Sequence, residues 1–474
     1  MTSQLLDKCR GSLIGGAVGD ALGYPVDFIY SFVEIAGRYG EKGITEFDTS
    51  RSAGRALISD DTQMTLNTAE GLLEAVRHGR PVIPVICDSY LAWFGHQAGE
   101  KIKISYDSKL AQIKELNENR APGNTCLSAL RSVFCGKKPA NSSKGCGGIM
   151  RIAPIGVYGA SHSVPVDKTA RMAGDAAKLT HLHPLSTYSS AACAVIIQLC
   201  IETPAVNAGK FRTIVDRSLD VVSAVYGETA PEMDVFKTVI KKAVSLADSP
   251  LCDWQVIERS LGGGWVAEET LAIAVFSVLR HIVDFRACMV CAVNHGGDSD
   301  STGAVAGNII GAILGYRAIP ACYTDRLEFH DLICSVADDL TESSTDKIME
   351  YTPSKINRLN PGEIFVFGSN LAGHHGGGAA RAALDKFGAV WGQGVGLQGQ
   401  SYAIPTMQGG VETIRPYVDE FIEFATSHPS LKFYVTRIGC GIAGFDDAEI
   451  APLFAKALGI KNIILPKSFV DVIA

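Results

Sequence analysis

Two glycine registers constrain this chain more than any other feature. Gly11, Gly15, Gly19 and Gly23 recur every four residues, and Gly303, Gly307, Gly311 and Gly315 repeat that spacing far down the chain. On a helix such spacing makes a slowly drifting stripe without side chains, along which a second helix can approach closely. Loop glycine is the alternative, because an interior glycine costs a helix about 1 kcal/mol relative to alanine. Matched registers in two apolar segments favour packing helices. Glycine makes up 49 of 474 residues with no collagen period, so the excess needs a role in close contacts or ligand-facing loops.

The chain is too long for one ordinary domain, and its text changes character near residue 340. Up to about residue 335, segments such as Thr62–Arg77, Leu185–Glu202, Phe236–Leu246 and Glu269–Val283 carry apolar residues at helical spacing. Around Asp338–Asp346 the polar run DDLTESSTD reads as a linker. Beyond it, Glu363–Phe367, Ser401–Ile404, Lys432–Val435 and Asn462–Leu465 read as buried strands. Ala379–Phe387, Arg415–Ser427 and Ala448–Leu458 read as helices between them. The expected architecture is multidomain: an all-α domain over residues 1–340, then a smaller α/β domain over residues 350–474.

The formal charge of −7 gives no footprint for nucleic acid or an anionic membrane. No stretch offers the ~20 apolar residues that span a bilayer; Pro184–Ile201 and Ser301–Tyr316 come nearest. Thirteen scattered cysteines and an N-terminus without signal-peptide regions predict reduced thiols in the cytoplasm. Cys288 and Cys291 form one CxxC in an apolar helical pattern. It reads as core packing first, with redox or metal binding as the alternative.

Acidic residues gather beside the glycine stripes. Asp20 and Asp27 flank the end of the first, Asp298 and Asp300 open the second in NHGGDSDST, and Asp60 and Asp61 precede a helix in ISDDTQMTL. Each pair alone could serve as a helix cap. Together, carboxylates interleaved with Ser59, Thr62, Ser299, Ser301 and Thr302 offer the all-oxygen shell that hard divalent cations require. Zinc is disfavoured, since neither cluster carries a histidine or cysteine at ligand spacing.

GSLIGGAVGDALGYPVDF, ISDDTQMTL, SKGCGGIMRIAPIG, LTHLHP and NHGGDSDSTGAVAGNIIGAILG together resemble the ADP-ribosylglycohydrolase family, over about residues 5–335 and in the family's order. That family includes dinitrogenase-reductase-activating hydrolases and ADP-ribosylarginine hydrolases. The resemblance implies an all-α fold and a binuclear Mg²⁺ centre, with Mn²⁺ as a substitute. It also implies hydrolysis of the glycosidic bond joining ADP-ribose to a protein side chain. Carried over by position, the metal ligands are Ser59, Asp60, Asp61, Asp298, Asp300 and Ser301; the carboxylate that assists proton transfer is expected to be Asp60, Asp61 or Asp300. Asp27 stands where many members have glutamate, and Ser59 where threonine is frequent. Substrate contacts are expected from Asp27, Asn124, Cys146, Gly147, Gly148, Ile149, Met150 and His181. Amides of the 146–150 loop would face the diphosphate. By itself His181 would more often be a core histidine.

The α/β half carries two strand–glycine-loop–helix runs, FVFGSNLAGHHGGGAARAAL and VTRIGCGIAGFDDAEIAPLF. Such turns suit phosphate, although neither fits the P-loop or the dinucleotide fingerprint. The pair resembles the macrodomain, an ADP-ribose-binding fold, over about residues 355–470. Asn370 with Gly376, Gly377 and Gly378 matches its first loop; Gly439, Gly441, Ile442, Ala443, Gly444 and Phe445 match the second. His374 and His375 are expected near that ligand rather than on a metal.

The resemblances imply removal of ADP-ribose from protein, from arginine first, with free ADP-ribose as product and a cognate ADP-ribosyltransferase toxin as a possible counterpart to an immunity role. The alternatives are hydrolysis of O-linked ADP-ribose on serine, polymers or metabolites, and a non-catalytic protein that captures ADP-ribosylated targets or blocks a transferase.

Overall fold

The computed structural model describes residues 3–50, 52–227, 231–342, 351–353 and 355–473. It divides into two compact units, Met1–Arg77 with Val82–Thr345, and His78–Pro81 with Asp346–Ala474.

The first unit is built from helices, and the glycine registers organise its centre. Helix Ser3–Gly23 runs antiparallel to helix Ser299–Leu314, with Gly11 opposite Gly311, Gly15 opposite Gly307, Gly19 opposite Gly303 and Gly23 opposite Ser299. At each crossing a Cβ would fall inside the partner's backbone carbonyl, so only glycine allows the two backbones to touch. Gly315 lies outside the second helix, as its C-cap with φ +84°. Around this pair pack the helices Asp60–Arg77, Pro184–Glu202 and Ala267–Arg280. Pro184–Glu202 is long and apolar enough by composition to cross a membrane, against expectation. However, 94% of its apolar window is buried inside the fold, where it serves as a core helix.

Two expected segments shift. The Glu269–Val283 helix is observed at Ala267–Arg280 and closes on its C-cap His281. The expected linker at Asp338–Asp346 is helical through Glu342, within His330–Glu342. Its acidic residues are held by ion pairs, Arg10 to Asp338 at 2.6 Å and Arg77 to Asp339 at 2.7 Å. Residues 343–346 of that run lie outside the described residues.

The second unit is a small α/β layer. Its five strands, β1 (Glu363–Ser369), β2 (Gly396–Gln398), β3 (Ser401–Pro405), β4 (Lys432–Val435) and β5 (Ile463–Ile464), lie in the order β2-β3-β1-β4-β5. β1, β3, β4 and β5 are parallel, and β2 joins the edge antiparallel. The run EIFVF is apolar throughout because β1 is covered on both faces. Ile364 and Val366 join the core beneath helix Arg415–Ser427, while Phe365 and Phe367 pack toward Ala383 of helix Gly378–Lys386 and its C-cap Phe387. The expected Ala448–Leu458 helix splits into an α-turn, Asp447–Ile450, and a 3₁₀ run, Ala451–Ala457.

Candidate functional site

Aspartates from three separated segments meet at one end of the glycine-packed helix pair. Asp298 is the N-cap of helix Ser299–Leu314; its carboxylate accepts the Ser301 amide at 3.3 Å, so the capping role holds alongside any other. Asp300 sits in the first turn and accepts the same amide at 2.8 Å. Asp27 follows the first glycine helix and brings a carboxylate oxygen within 4.8 Å of oxygens of both Asp298 and Asp300. Asp60 and Asp61 open the helix Asp60–Arg77 and are 5% and 2% exposed.

The cap of that helix is Asp20, inside the first glycine helix. Its carboxylate accepts the Ser59 amide at 3.0 Å, the Thr62 amide at 3.1 Å and the Thr62 hydroxyl. A completely buried aspartate thus fixes the turn that aims Asp60 and Asp61. Ser59 is buried too, its hydroxyl accepting the Asp61 amide at 3.2 Å.

Crowding these acids shifts all of them. Burial, then the charges of Asp298 and Asp60, push the Asp27 carboxyl up to about 8. Burial, opposed in part by the Gly123 amide, lifts Asp60 to about 8. Burial and neighbouring aspartates hold Asp61 and Asp300 well above the carboxylate range. Among the described residues no ion pair reaches Asp27, Asp60, Asp61, Asp298 or Asp300. The Asp61 Oδ2 is buried with no hydrogen-bond partner. Buried carboxylates without a counter-cation are costly, and an all-oxygen set of this kind fits one or more hard divalent ions.

The substrate-loop residues fall around this cluster. Gly123 donates to Asp60 at 3.2 Å, which places the exposed Asn124 beside the cluster. Gly147, Gly148, Ile149 and Met150 are buried. The loop's amides are less available than expected. Cys146 N–H is taken by Trp265 O at 3.2 Å, and those of Ile149 and Met150 by Cys146 O at 2.8 and 3.1 Å. His181 is 2% exposed, bonded to the Thr180 hydroxyl at 2.9 Å and packed behind Gly145 and Gly147. Burial and the Arg151 charge lower it to about 3, so it is neutral.

Cys146 changes the donor set. Its Sγ lies 2.8 Å from Asp298 Oδ2, placing a sulfur beside carboxylates that sequence spacing had left all-oxygen. Three further residues carried no local signal. Arg151 is a fully buried cation, bonded to the Thr180 hydroxyl at 2.6 Å and lying 4.4 Å over the Tyr90 ring. Phe28, next to Asp27, adopts φ +61° and stands 5.4 Å from Trp265, forming an aromatic rim. Phe28 could have been found only through its neighbour Asp27.

In the second unit the two glycine loops face one cleft of about 200 Å³. It is lined by Asn370, His374, Gly376, Gly377, Gly378, Gly439, Gly441, Ile442 and Ala443 among others. Asn370 clasps its loop, accepting the His374 amide at 3.1 Å and donating to its carbonyl at 3.0 Å. Gly444 and Phe445 are not in the cleft wall. The Phe445 amide closes the loop on Gly439 O at 3.2 Å while its ring packs on the core. His375 also departs from expectation: it is buried, 3.0 Å from the Ser369 hydroxyl and edge-on to Phe367.

A helical unit that gathers buried aspartates at the end of a glycine-packed helix pair has the makings of an acid-centred site suited to divalent metal. The class narrows further. A model of the ADP-ribosylglycohydrolase family matches residues 1–348, and the chain belongs to that family. The chain is 25% identical to the ADP-ribosyl-[dinitrogen reductase] glycohydrolase of Rhodospirillum rubrum, over 68% of this chain and 90% of that protein. It is 25% identical to the ADP-ribosylarginine hydrolase Tri1 of Serratia proteamaculans, over 71% and 80%. It is 21% identical to the mouse ADP-ribosylhydrolase ARH3, over 68% and 88%.

Proposed function

We propose that the chain is a divalent-metal-dependent hydrolase that cleaves the bond between ADP-ribose and a protein side chain, with arginine the preferred acceptor. The carrying observation is the set of buried aspartates, Asp60, Asp61, Asp298 and Asp300 with Asp27, that no cation among the described residues pairs with. On this reading Ser59, Asp60, Asp61, Asp298, Asp300 and Ser301 hold two Mg²⁺ ions, or Mn²⁺ in their place. Metal held by these residues would supply positive charge toward the ribose hydroxyls and the attacking water. One carboxylate among Asp60, Asp61 and Asp300 takes the proton of the attacking water as its oxygen bonds to the anomeric carbon and the glycosidic bond breaks; the proton passes to the leaving side-chain nitrogen, and the remaining carboxylates stabilise the oxocarbenium-like charge at that carbon. Asp20 keeps the Ser59–Thr62 turn rigid, and the Cys146–Met150 loop with Asn124 and His181 walls the nucleotide.

The arginine preference leans on the relative named for that substrate, the Serratia hydrolase. The similarity to a protein named only as an ADP-ribosylhydrolase supports a second reading, another ADP-ribose linkage such as O-linked serine. An ADP-ribosyltransferase must supply either substrate, and reversal of such a toxin is the setting we propose. We read the second unit as a macrodomain-like module whose glycine-lined cleft holds ADP-ribose, supported by the two facing loops at Gly376–Gly378 and Gly439–Ala443.

The test is release of ADP-ribose by the full chain with Mg²⁺ from proteins modified separately on arginine and on serine. Metal-dependent release from arginine is expected. Release from serine alone transfers the assignment to the second reading, and release from neither, with ADP-ribose still bound, makes the chain a binding protein.

A further inference from the structure

Away from the aspartate cluster, three side chains of different chemistry converge. Asp253 begins the short helix Asp253–Val256, His281 caps the helix Ala267–Arg280, and Cys291 lies on Phe285–Val293. A carboxylate oxygen, a ring nitrogen and the sulfur all lie within 4.8 Å of one another. His281 Nε2 is 2.6 Å from Asp253 Oδ2. Asp253 and Cys291, together with Cys252, line a cavity of about 850 Å³ that opens to solvent.

A plain ion-pair staple would explain part of this. Arg280 Nε donates to Asp253 Oδ1 at 2.9 Å, and its other nitrogens hold the Ala247, Ser249 and Leu251 carbonyls. That staple accounts for the arginine and the imidazole, while Cys291 adds a sulfur against the same carboxylate. Arg280 engages Oδ1 and leaves Oδ2 turned toward His281 and Cys291, which is how an outer hydrogen bond orients a metal-binding carboxylate. Cys291 is 4% exposed; its thiol meets the Ser277 hydroxyl at 3.3 Å and also contacts the Asp253 carboxylate.

We propose that Asp253, His281 and Cys291 form a transition-metal site for a borderline ion of the zinc class, sharing no residue with the aspartate cluster. Oxygen, nitrogen and sulfur donors select such an ion over Mg²⁺, which favours oxygen alone. Three protein donors would leave a coordination position free, and two of them, Asp253 and Cys291, line the solvent-open cavity. The CxxC pair then splits by role: Cys291 is a ligand, while Cys288, 0% exposed, is core.

Cobalt is the probe, because a thiolate bound to Co²⁺ gives a near-ultraviolet charge-transfer band that oxygen ligands do not. The full chain is titrated with Co²⁺ in excess Mg²⁺, which keeps the oxygen-rich centre filled. We expect one band-forming equivalent, displaced by Zn²⁺. Cys291→Ser should abolish the band, and His281→Ala should weaken Co²⁺ binding by at least about tenfold. Cys288→Ser and Cys146→Ser should keep it. Absence of the band in the wild-type chain, its survival in Cys291→Ser or its loss in Cys146→Ser would each overturn the site. If Cys291→Ser fails to fold by circular dichroism, unchanged affinity in folded His281→Ala overturns it equally. None of these readouts depends on which ADP-ribose linkage is cleaved.

Discussion

The two units use glycine for opposite ends. In the helical unit, Gly11, Gly15, Gly19, Gly303, Gly307 and Gly311 are places where a Cβ would strike a partner backbone. In the α/β unit, the cleft-lining Gly376, Gly378 and Gly441 have nothing within 4 Å of an added Cβ. One set removes side chains so that helices close; the other removes them so that a cleft stays open. The functional groups follow suit. The first unit buries Asp60, Asp61, Asp298 and Asp300 with no ion pair among the described residues, whereas the second lines its cleft with backbone and partly exposed side chains around Asn370 and His374. A rigid frame can hold like charges together because it cannot relax them apart.

The largest effect should come from the buried acids. Asp60→Ala or Asp300→Ala is expected to lower metal-dependent release of ADP-ribose by at least about 10³-fold, the scale on which a preorganised charge contributes to catalysis. ADP-ribose binding to the second unit, measured by calorimetry on the same proteins, should persist. Near-wild-type turnover in both variants would erase the functional side of the contrast.

A matched pair of substitutions tests its packing side. Gly19→Ala drives a methyl into the Gly303 carbonyl and should cost about 3 kcal/mol, the upper range for overpacking. Gly376→Ala meets no atom and should stay within about 0.5 kcal/mol. Denaturant midpoints of the two variants decide it, and equal losses would show that the registers are not what closes the helices.

Why these stripes were readable and other features were not follows from where the information sits. A four-residue period is local, and two copies of it predict each other. The acids at 60, 61, 298 and 300 were readable because each pair travels with hydroxyls on one short segment. Strand β4 and helix Arg415–Ser427 matched expectation to the residue, each being a single apolar pattern with clear ends. Asp20 was noticed, but its grip on Ser59 and Thr62 spans a long loop and leaves no pattern. The contact of Cys146 with Asp298, and that of Cys291 with Asp253 and His281, exist only once distant helices have packed. β2 is a three-residue edge strand carrying a glycine, too short to alternate. His375 looked like a ligand-loop twin of His374, yet burial against Phe367 separates them.

A smaller effect should appear with pH. Asp27 and Asp60 rise from 3.8 to about 8 in the metal-free fold, so the unfolded chain ionises first. Their contribution to stability is complete below about pH 4 and is lost as pH climbs through 8. His181 and His295, lowered to about 3 and about 4, act oppositely, but only below their unfolded value near 6.5. Between about pH 6.5 and 8 the aspartates stand alone. Without divalent ions the melting midpoint of the helical unit should fall across that window, and Mg²⁺ should raise it more at pH 8 than at pH 6. A midpoint indifferent to Mg²⁺ at pH 8 would detach the acids from any cation.

The mildest change belongs to the open cleft. Asn370 makes both of its bonds to the backbone of His374, so Asn370→Ala should loosen the first glycine loop without disturbing the sheet. Two lost hydrogen bonds at an exposed position amount to about 1–2 kcal/mol, hence a roughly tenfold weaker hold on ADP-ribose. Trp391, stacked 5.3 Å from His374, gives a fluorescence signal inside the same unit. Hydrolysis of a small ADP-ribosylated substrate should be unchanged, because Asn370 lies in the second unit and every acid of the cluster lies in the first. A parallel drop in hydrolysis would mean that the open cleft contributes to the chemistry of the closed frame, and the division between the two uses of glycine would have to be redrawn.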